Sequence, residues 1–120
     1  MKEVRLVCGE LVIDNKMLLM SQVVDDGIFL MPGGKAESHE IAFDALEREI
    51  MEELGVKISM VDVLNYNPYV CQLNIHGTPK IIEPHKCLEL RWCSLDDVKR
   101  LYKEKKTLKV ILKYAKKVLS

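Results

Sequence analysis

Apolar and β-branched residues fill the stretch from Val4 to Ile13 and return at Met17 to Met20 after Asp14-Asn15-Lys16, which predicts two neighbouring strands joined by a turn. Val23 to Ile28 reads as a loop around Asp25-Asp26-Gly27, and Phe29 to Met31 as a short strand that stops at Pro32. Pro32-Gly33-Gly34 predicts a turn. The period then changes. Ala42, Leu46, Ile50 and Leu54 recur at every fourth position, the apolar stripe of a helix. Ser38 is the expected N-cap, with Glu40 in the first turn, and Gly55 ends the helix. Lys57 to Tyr66 and Tyr69 to Ile75 predict two strands around Asn67-Pro68, with a turn at His76-Gly77-Thr78-Pro79. Lys86 to Cys93 predicts another strand, and Ser94 caps a short helix with Asp96 and Asp97 in its first turn. A final helix from Thr107 to Leu119 places Leu108, Ile111, Leu112, Ala115, Val118 and Leu119 on one face. The lysines opposite read as a solvated face rather than a nucleic-acid patch. Strands on both sides of a central helix, followed by a terminal helix, predict an α/β sandwich.

Composition narrows this picture. A chain of 120 residues is expected to form one domain over positions 1–120. Its 18 basic and 18 acidic residues balance, so no global field draws it to a nucleic-acid polymer or an anionic membrane; a small anionic substrate remains open. No apolar run approaches the length of a bilayer span, and Met1-Lys2-Glu3-Val4-Arg5 lacks a signal-peptide core. Cys8, Cys71, Cys87 and Cys93 show no Cys-x-x-Cys spacing and fall in strand-like contexts, as buried thiols of a cytoplasmic protein would.

The central helix carries the chemistry. With Glu49 at zero and about 100° per residue, Glu52 falls near 300° and Glu53 near 40°, so the three carboxylates share one face. Acidic groups at a helix C-terminus oppose the macrodipole and repel one another unless a cation offsets them. Clustered oxygens suit Mg²⁺ or Mn²⁺. A Glu-rich helix is more commonly only a solvated face, but the spacing argues otherwise. Gly34, Glu40, Arg48, Glu49, Ile50, Glu52, Glu53, Gly55 and Val56 fit Gly-x5-Glu-x7-Arg-Glu-U-x-Glu-Glu-x-Gly-U, with U aliphatic. A chance match in a chain of this length is on the order of one in ten million.

That pattern is the Nudix box, and the chain resembles the Nudix hydrolases, in layout the MutT-type members. Met31-Pro32-Gly33-Gly34-Lys35 is similar to the family's approach to the box. Glu83-Pro84-His85-Lys86-Cys87 and Arg91 to Val98 resemble a segment of nucleotide-hydrolysing members. The resemblance implies an α/β/α sandwich around a mixed sheet. It implies metal ligation by Glu49, Glu52, Glu53 and the Gly33 carbonyl, with Glu52 or Glu53 handling the attacking water. Arg48 is expected to fix a box carboxylate and Glu40 to brace the loop, while Lys35 could touch phosphate. Two departures stand out. Ser21-Gln22 occupy the place of a phosphate-gripping arginine, for which Arg5 is a possible substitute. His85 replaces a late-loop acid, leaving Glu83 and Glu89 as candidates. Phe29, Tyr66, Tyr69 and Trp92 are candidates to stack on a base, although strand aromatics are more often core. The implied activity is Mg²⁺-dependent cleavage of a nucleoside triphosphate, standard or oxidised, to monophosphate and pyrophosphate. ADP-ribose or nucleotide-sugar pyrophosphatase is the alternative, followed by a non-catalytic binding module.

Overall fold

The computed structural model describes residues 5–23 and 27–120. Val4, Asp25 and Asp26, which the sequence placed in the first strand and the following loop, lie outside them. In chain order the elements are β1 (Arg5–Ile13), β2 (Lys16–Gln22), β3 (Phe29–Leu30), β4 (Gly33–Ala36), α1 (Ala42–Leu54), β5 (Lys57–Tyr66), β6 (Tyr69–His76), β7 (Cys87–Cys93), α2 (Leu95–Lys103) and α3 (Lys109–Val118).

β1 organises the sheet. It runs parallel to β6 from Val7↔Tyr69 to Leu11↔Leu73, and β6 runs antiparallel to β5. The other edge of β1 is shared. Its first half pairs with β4, from Arg5↔Ala36 to Cys8↔Gly33, and only its end pairs with β2, at Val12↔Met17 and Ile13↔Lys16. β2 then continues against β7 and β3. β4 and β2 therefore part from one another along the middle of β1, and the gap between them becomes the cleft described below.

Strand alternation sends successive side chains to opposite faces. Val7, Leu11 and Leu18 pack with Ala45, Leu46, Ile50 and Leu54 of α1. Met17, Leu19 and Phe29 pack with Val98, Leu101, Ile111, Tyr114 and Ala115 of the two later helices. This is the expected α/β/α sandwich around a mixed sheet. Each fully buried aliphatic side chain contributes about 1.5–3 kcal/mol to it. No helix among the described residues is long and apolar enough to cross a membrane.

Three local expectations are corrected. α1 begins at Ala42, not near Ser38, and its N-cap Ile41 has no capping side chain. Glu40 instead closes a turn before the helix, where its carboxylate accepts from the Glu37 amide and from Arg48. Gly33-Gly34 is not a free turn but the start of β4, pressed against β1. At Gly33, φ is 154° and a Cβ would stand 2.0 Å from the Val7 carbonyl oxygen, so only glycine fits. The last helix starts at Lys109, because Thr107 is held in the core by donating its hydroxyl to the Phe29 carbonyl at 2.6 Å. The expected ends at Asp14-Asn15 and Gly55 hold: the first two residues have φ of 52° and 59°, and Gly55 is left-handed, its amide donating to the Met51 carbonyl.

Candidate active site

α1 ends against the gap between β4 and β2. Its last carbonyls, which have no partner within the helix, accept from the segment that follows β6: the Lys80 amide donates to Leu54 and the Ile82 amide to Glu53. These bonds bring Glu83, His85 and Lys86 over the end of α1. Together with Met20, Gln22, Gly33, Gly34, Glu53 and Cys87 they line a cleft of about 370 Å³.

Glu53 is the best-fixed acid there. Its Oε1 accepts from the Gly33 amide at 3.0 Å. Burial raises its pKa to about 7 against the pull of that amide, and Glu49 and Glu83 push in the same direction as burial. Glu49 lies over Gly34, where a Cβ would come within 2.5 Å of its carboxyl carbon. Its pKa is also raised, first by burial, with Arg48 opposing.

Arg48 organises the outer side. It donates to both Glu40 oxygens at 2.8 Å, to Glu49 at 3.1 Å, to Glu52 at 3.4 Å and to the Lys35 carbonyl at 3.2 Å. The Arg48 hydrogen bonds hold Glu40 down at about 2, and Glu40 in turn keeps the guanidinium protonated. Lys86 pairs with Glu83 at 3.2 Å, which raises its pKa, and Glu49 and Glu52 add to the effect. Arg48 contacts both Glu49 and Glu52, and no three acidic, His or Cys side chains among the described residues close around one point.

The sequence candidates divide accordingly. Gly33, Glu53 and Glu83 meet in the cleft, with Glu49 beside Gly34. Glu89 does not: it is exposed on β7 and pairs with Arg91 at 2.9 Å. Arg5 is spent on the loop before α1, donating to the Glu37 and Glu40 carbonyls, and lines a separate groove with Tyr66 and Tyr69. Lys35 offers its carbonyl to Arg48 and does not line the cleft. Phe29 is 4 % exposed in the core beneath the Arg91 guanidinium, so it is not a stacking platform. Tyr66 sits at the exposed hairpin end, and Tyr69 and Trp92 pack on the α1-side core. The cysteines are free, and burial raises every one of their thiol pKa values, which argues against a nucleophilic role. Met20, Lys86 and Cys87 escaped the sequence reading as site residues. Gln22 was visible only as a departure from the arginine expected there.

The sequence matches the NUDIX domain over residues 5–114. The chain belongs to the Nudix family. An 8-oxo-dGTP diphosphatase of Buchnera aphidicola is 31 % identical over 97 residues, covering 72 % of this chain and 78 % of that protein. The fold superposes on a Nudix-family hydrolase from Clostridium perfringens with a TM-score of 0.78, at 18 % identity over 98 % of this chain and 97 % of that one. A MutT Nudix hydrolase from Burkholderia pseudomallei gives 0.63, at 26 % identity over 81 % of this chain and 87 % of the other. The chain is thus a Nudix hydrolase of the MutT type, and members of this family generally need a divalent metal.

Glu49 and Glu53 offer hard oxygens of the kind such an ion requires, and burial is the first cause of their raised pKa values. Gly34 offers a direct check. Gly34→Ala is expected to displace the Glu49 carboxylate and lower kcat at least tenfold, while Tm falls by only a few degrees. An unchanged kcat would mean that the position of Glu49 does not matter.

Proposed function

We propose that the chain is a Mg²⁺-dependent pyrophosphohydrolase that converts a nucleoside triphosphate into the monophosphate and pyrophosphate, with Mn²⁺ able to substitute. The observation that carries this reading is the cleft itself. It joins two acids, Glu53 and Glu83, and the Gly33-Gly34 backbone to Lys86, so hard oxygens for an ion and a cation for a phosphate chain share one space. Similarity to an 8-oxo-dGTP diphosphatase favours a nucleotide that includes oxidised forms.

Glu49, Glu52, Glu53 and the Gly33 carbonyl would hold the ion, and Glu83 rather than Glu89 would add a further acid. When bound, the metal supplies charge neutralisation at the phosphates and a more acidic water. The chain's own residues do the positioning. The Gly33 amide fixes the Glu53 rotamer, and Arg48 fixes Glu49 and Glu52 against Glu40. Glu52 or Glu53 orients and deprotonates the water. Lys86 gives the phosphate chain a cation beside Glu83.

The test is a product analysis with Mg²⁺ against standard and oxidised nucleoside triphosphates, ADP-ribose and nucleotide sugars. Monophosphate and pyrophosphate from a triphosphate are expected. AMP with ribose phosphate from ADP-ribose as the preferred reaction would replace this reading, and no turnover on any compound would point to a binding module.

A further inference from the structure

We propose that Arg5 is a positioning residue for the carboxylates of α1, acting on them through Glu40 and Arg48. The inference rests on the metal site of the functional reading above. Between the end of β4 at Ala36 and the start of α1 at Ala42 the chain makes a turn from Glu37 to Glu40. The turn closes on itself: the Glu40 amide donates to the Glu37 carbonyl at 3.0 Å, and the Glu37 amide donates to Glu40 Oε1 at 2.9 Å. It lies outside α1, and the helix starts on Ile41 with no capping side chain to fix its entry. Among the described residues, only Arg5 ties the main chain from 37 to 40 to another element. Its Nη2 donates to the Glu37 carbonyl at 2.6 Å and to the Glu40 carbonyl at 2.8 Å. Arg48, Arg91 and Arg100 each pair with a carboxylate, whereas the hydrogen bonds of the Arg5 side chain go to main-chain carbonyls. The backbone of Arg5 stands opposite Ala36 in the sheet, so one residue of β1 fixes both the last strand position and the turn that follows.

The turn matters because of what the Glu40 side chain does next. Its carboxylate receives Arg48 Nε and Nη2 at 2.8 Å each, a two-pronged bond that sets the plane of the guanidinium. The remaining arm, Nη1, reaches Glu49 at 3.1 Å and Glu52 at 3.4 Å. An arginine side chain has many rotamers to lose, and the bond to Glu40 is what selects one. The order of control is therefore Arg5, the turn, Glu40, Arg48, and then the two acids. As a sequence candidate Arg5 was a grip for phosphate; its guanidinium grips this turn instead.

The experiment compares the wild type, Arg5→Ala, Arg5→Lys, Glu40→Ala and the double variant Arg5→Ala/Glu40→Ala. Equilibrium Mn²⁺ affinity is read from the paramagnetic signal of the free ion, and amide hydrogen exchange is followed in the metal-free proteins. Arg5→Ala is expected to weaken Mn²⁺ binding roughly tenfold, the low end of the range for outer partners of metal ligands. Exchange should quicken at Glu37 and Glu40 while the middle of α1 keeps its protection. Arg5→Lys, which keeps a cation for the two carbonyls, should recover most of the affinity. In the Glu40→Ala background, Arg5→Ala should add a further loss of roughly twofold at most, because its route is already cut. Unchanged affinity in Arg5→Ala, or an equal loss in both backgrounds, overturns the inference. So does a loss of protection throughout α1, which marks a general structural role. A wild type that binds no Mn²⁺ removes the metal site itself, and only that result reaches back to the functional reading.

Discussion

Glu53→Gln is expected to lower kcat about 10³-fold while leaving the metal-free protein as stable as the wild type, or slightly more stable. The two halves of this expectation have one origin. In the folded chain the Glu53 carboxylate is buried beside Glu49 and Glu83, and both acids oppose its charge. A glutamine keeps an oxygen where Glu53 Oε1 accepts from the Gly33 amide, so the contact between α1 and β4 survives. What disappears is the charge, which disfavours the metal-free fold but is needed to hold a cation. Added Mg²⁺ should therefore raise the Tm of the wild type and not that of the variant, because only a state that binds ligand is stabilised by it. Measuring kcat and Tm across a Mg²⁺ titration in both proteins checks the pair. Retention of more than a tenth of the rate, with its Mg²⁺ dependence, would remove Glu53 from the metal site.

The period of apolar residues made much of this architecture legible. Leu46, Ile50 and Leu54 are buried under the sheet as their spacing requires, and Ile111, Ala115 and Leu119 seal the other face. The acids of α1 were readable as neighbours on one helix, but of the three only Glu53 lines the cleft, with Glu49 beside Gly34 and Glu52 on the outer side with Arg48. What escaped depends on contacts distant in sequence. Ser38 is a good capping residue, but the pairing of Glu40 with Arg48 holds the preceding turn out of the helix. Gly33-Gly34 carries every signal of a turn and becomes a strand only because Val7 and Cys8 lie alongside. The wall of the cleft is least legible of all. It needs β4 and β2 to share one edge of β1, and then a single extra residue in β7. Phe29 shows the converse case, a base-stacking candidate on chemistry alone that packing assigns to the core.

Glu10→Leu is expected to stabilise the protein by a few kcal/mol near pH 8 and by much less near pH 4.5. Glu10 sits in the middle of β1, on the same face as Cys8 and Val12, facing the layer of the later helices. It is fully buried, and neither carboxylate oxygen has a hydrogen-bond partner within the described residues. Burial raises its pKa from 4.5 to about 8, with Lys117 on α3 only partly opposing; the pKa of Tyr114 is raised first by burial and then by the Glu10 charge. The sign follows from linkage. Below about 4.5 the group is protonated in both the folded and the unfolded chain, and its ionisation costs the fold nothing. Between that value and about 8 the unfolded chain releases the proton and the folded chain keeps it, so stability falls as pH rises. Above about 8 the folded chain carries the buried charge and the loss levels off. An apolar side chain of similar length escapes this penalty, and replacements of buried charge by packed hydrophobes gain about 1–4 kcal/mol. Urea unfolding of the wild type, Glu10→Leu and Glu10→Gln at several pH values between 4.5 and 8.5 separates the contributions. The leucine variant should gain steadily with pH, and the glutamine variant should follow the same slope from a lower start, because it removes the charge but keeps an unpartnered polar group. A gain independent of pH would mean that Glu10 stays ionised and solvated throughout. A loss at every pH would mean that its carboxylate is bonded in solution to a group that an apolar side chain cannot replace.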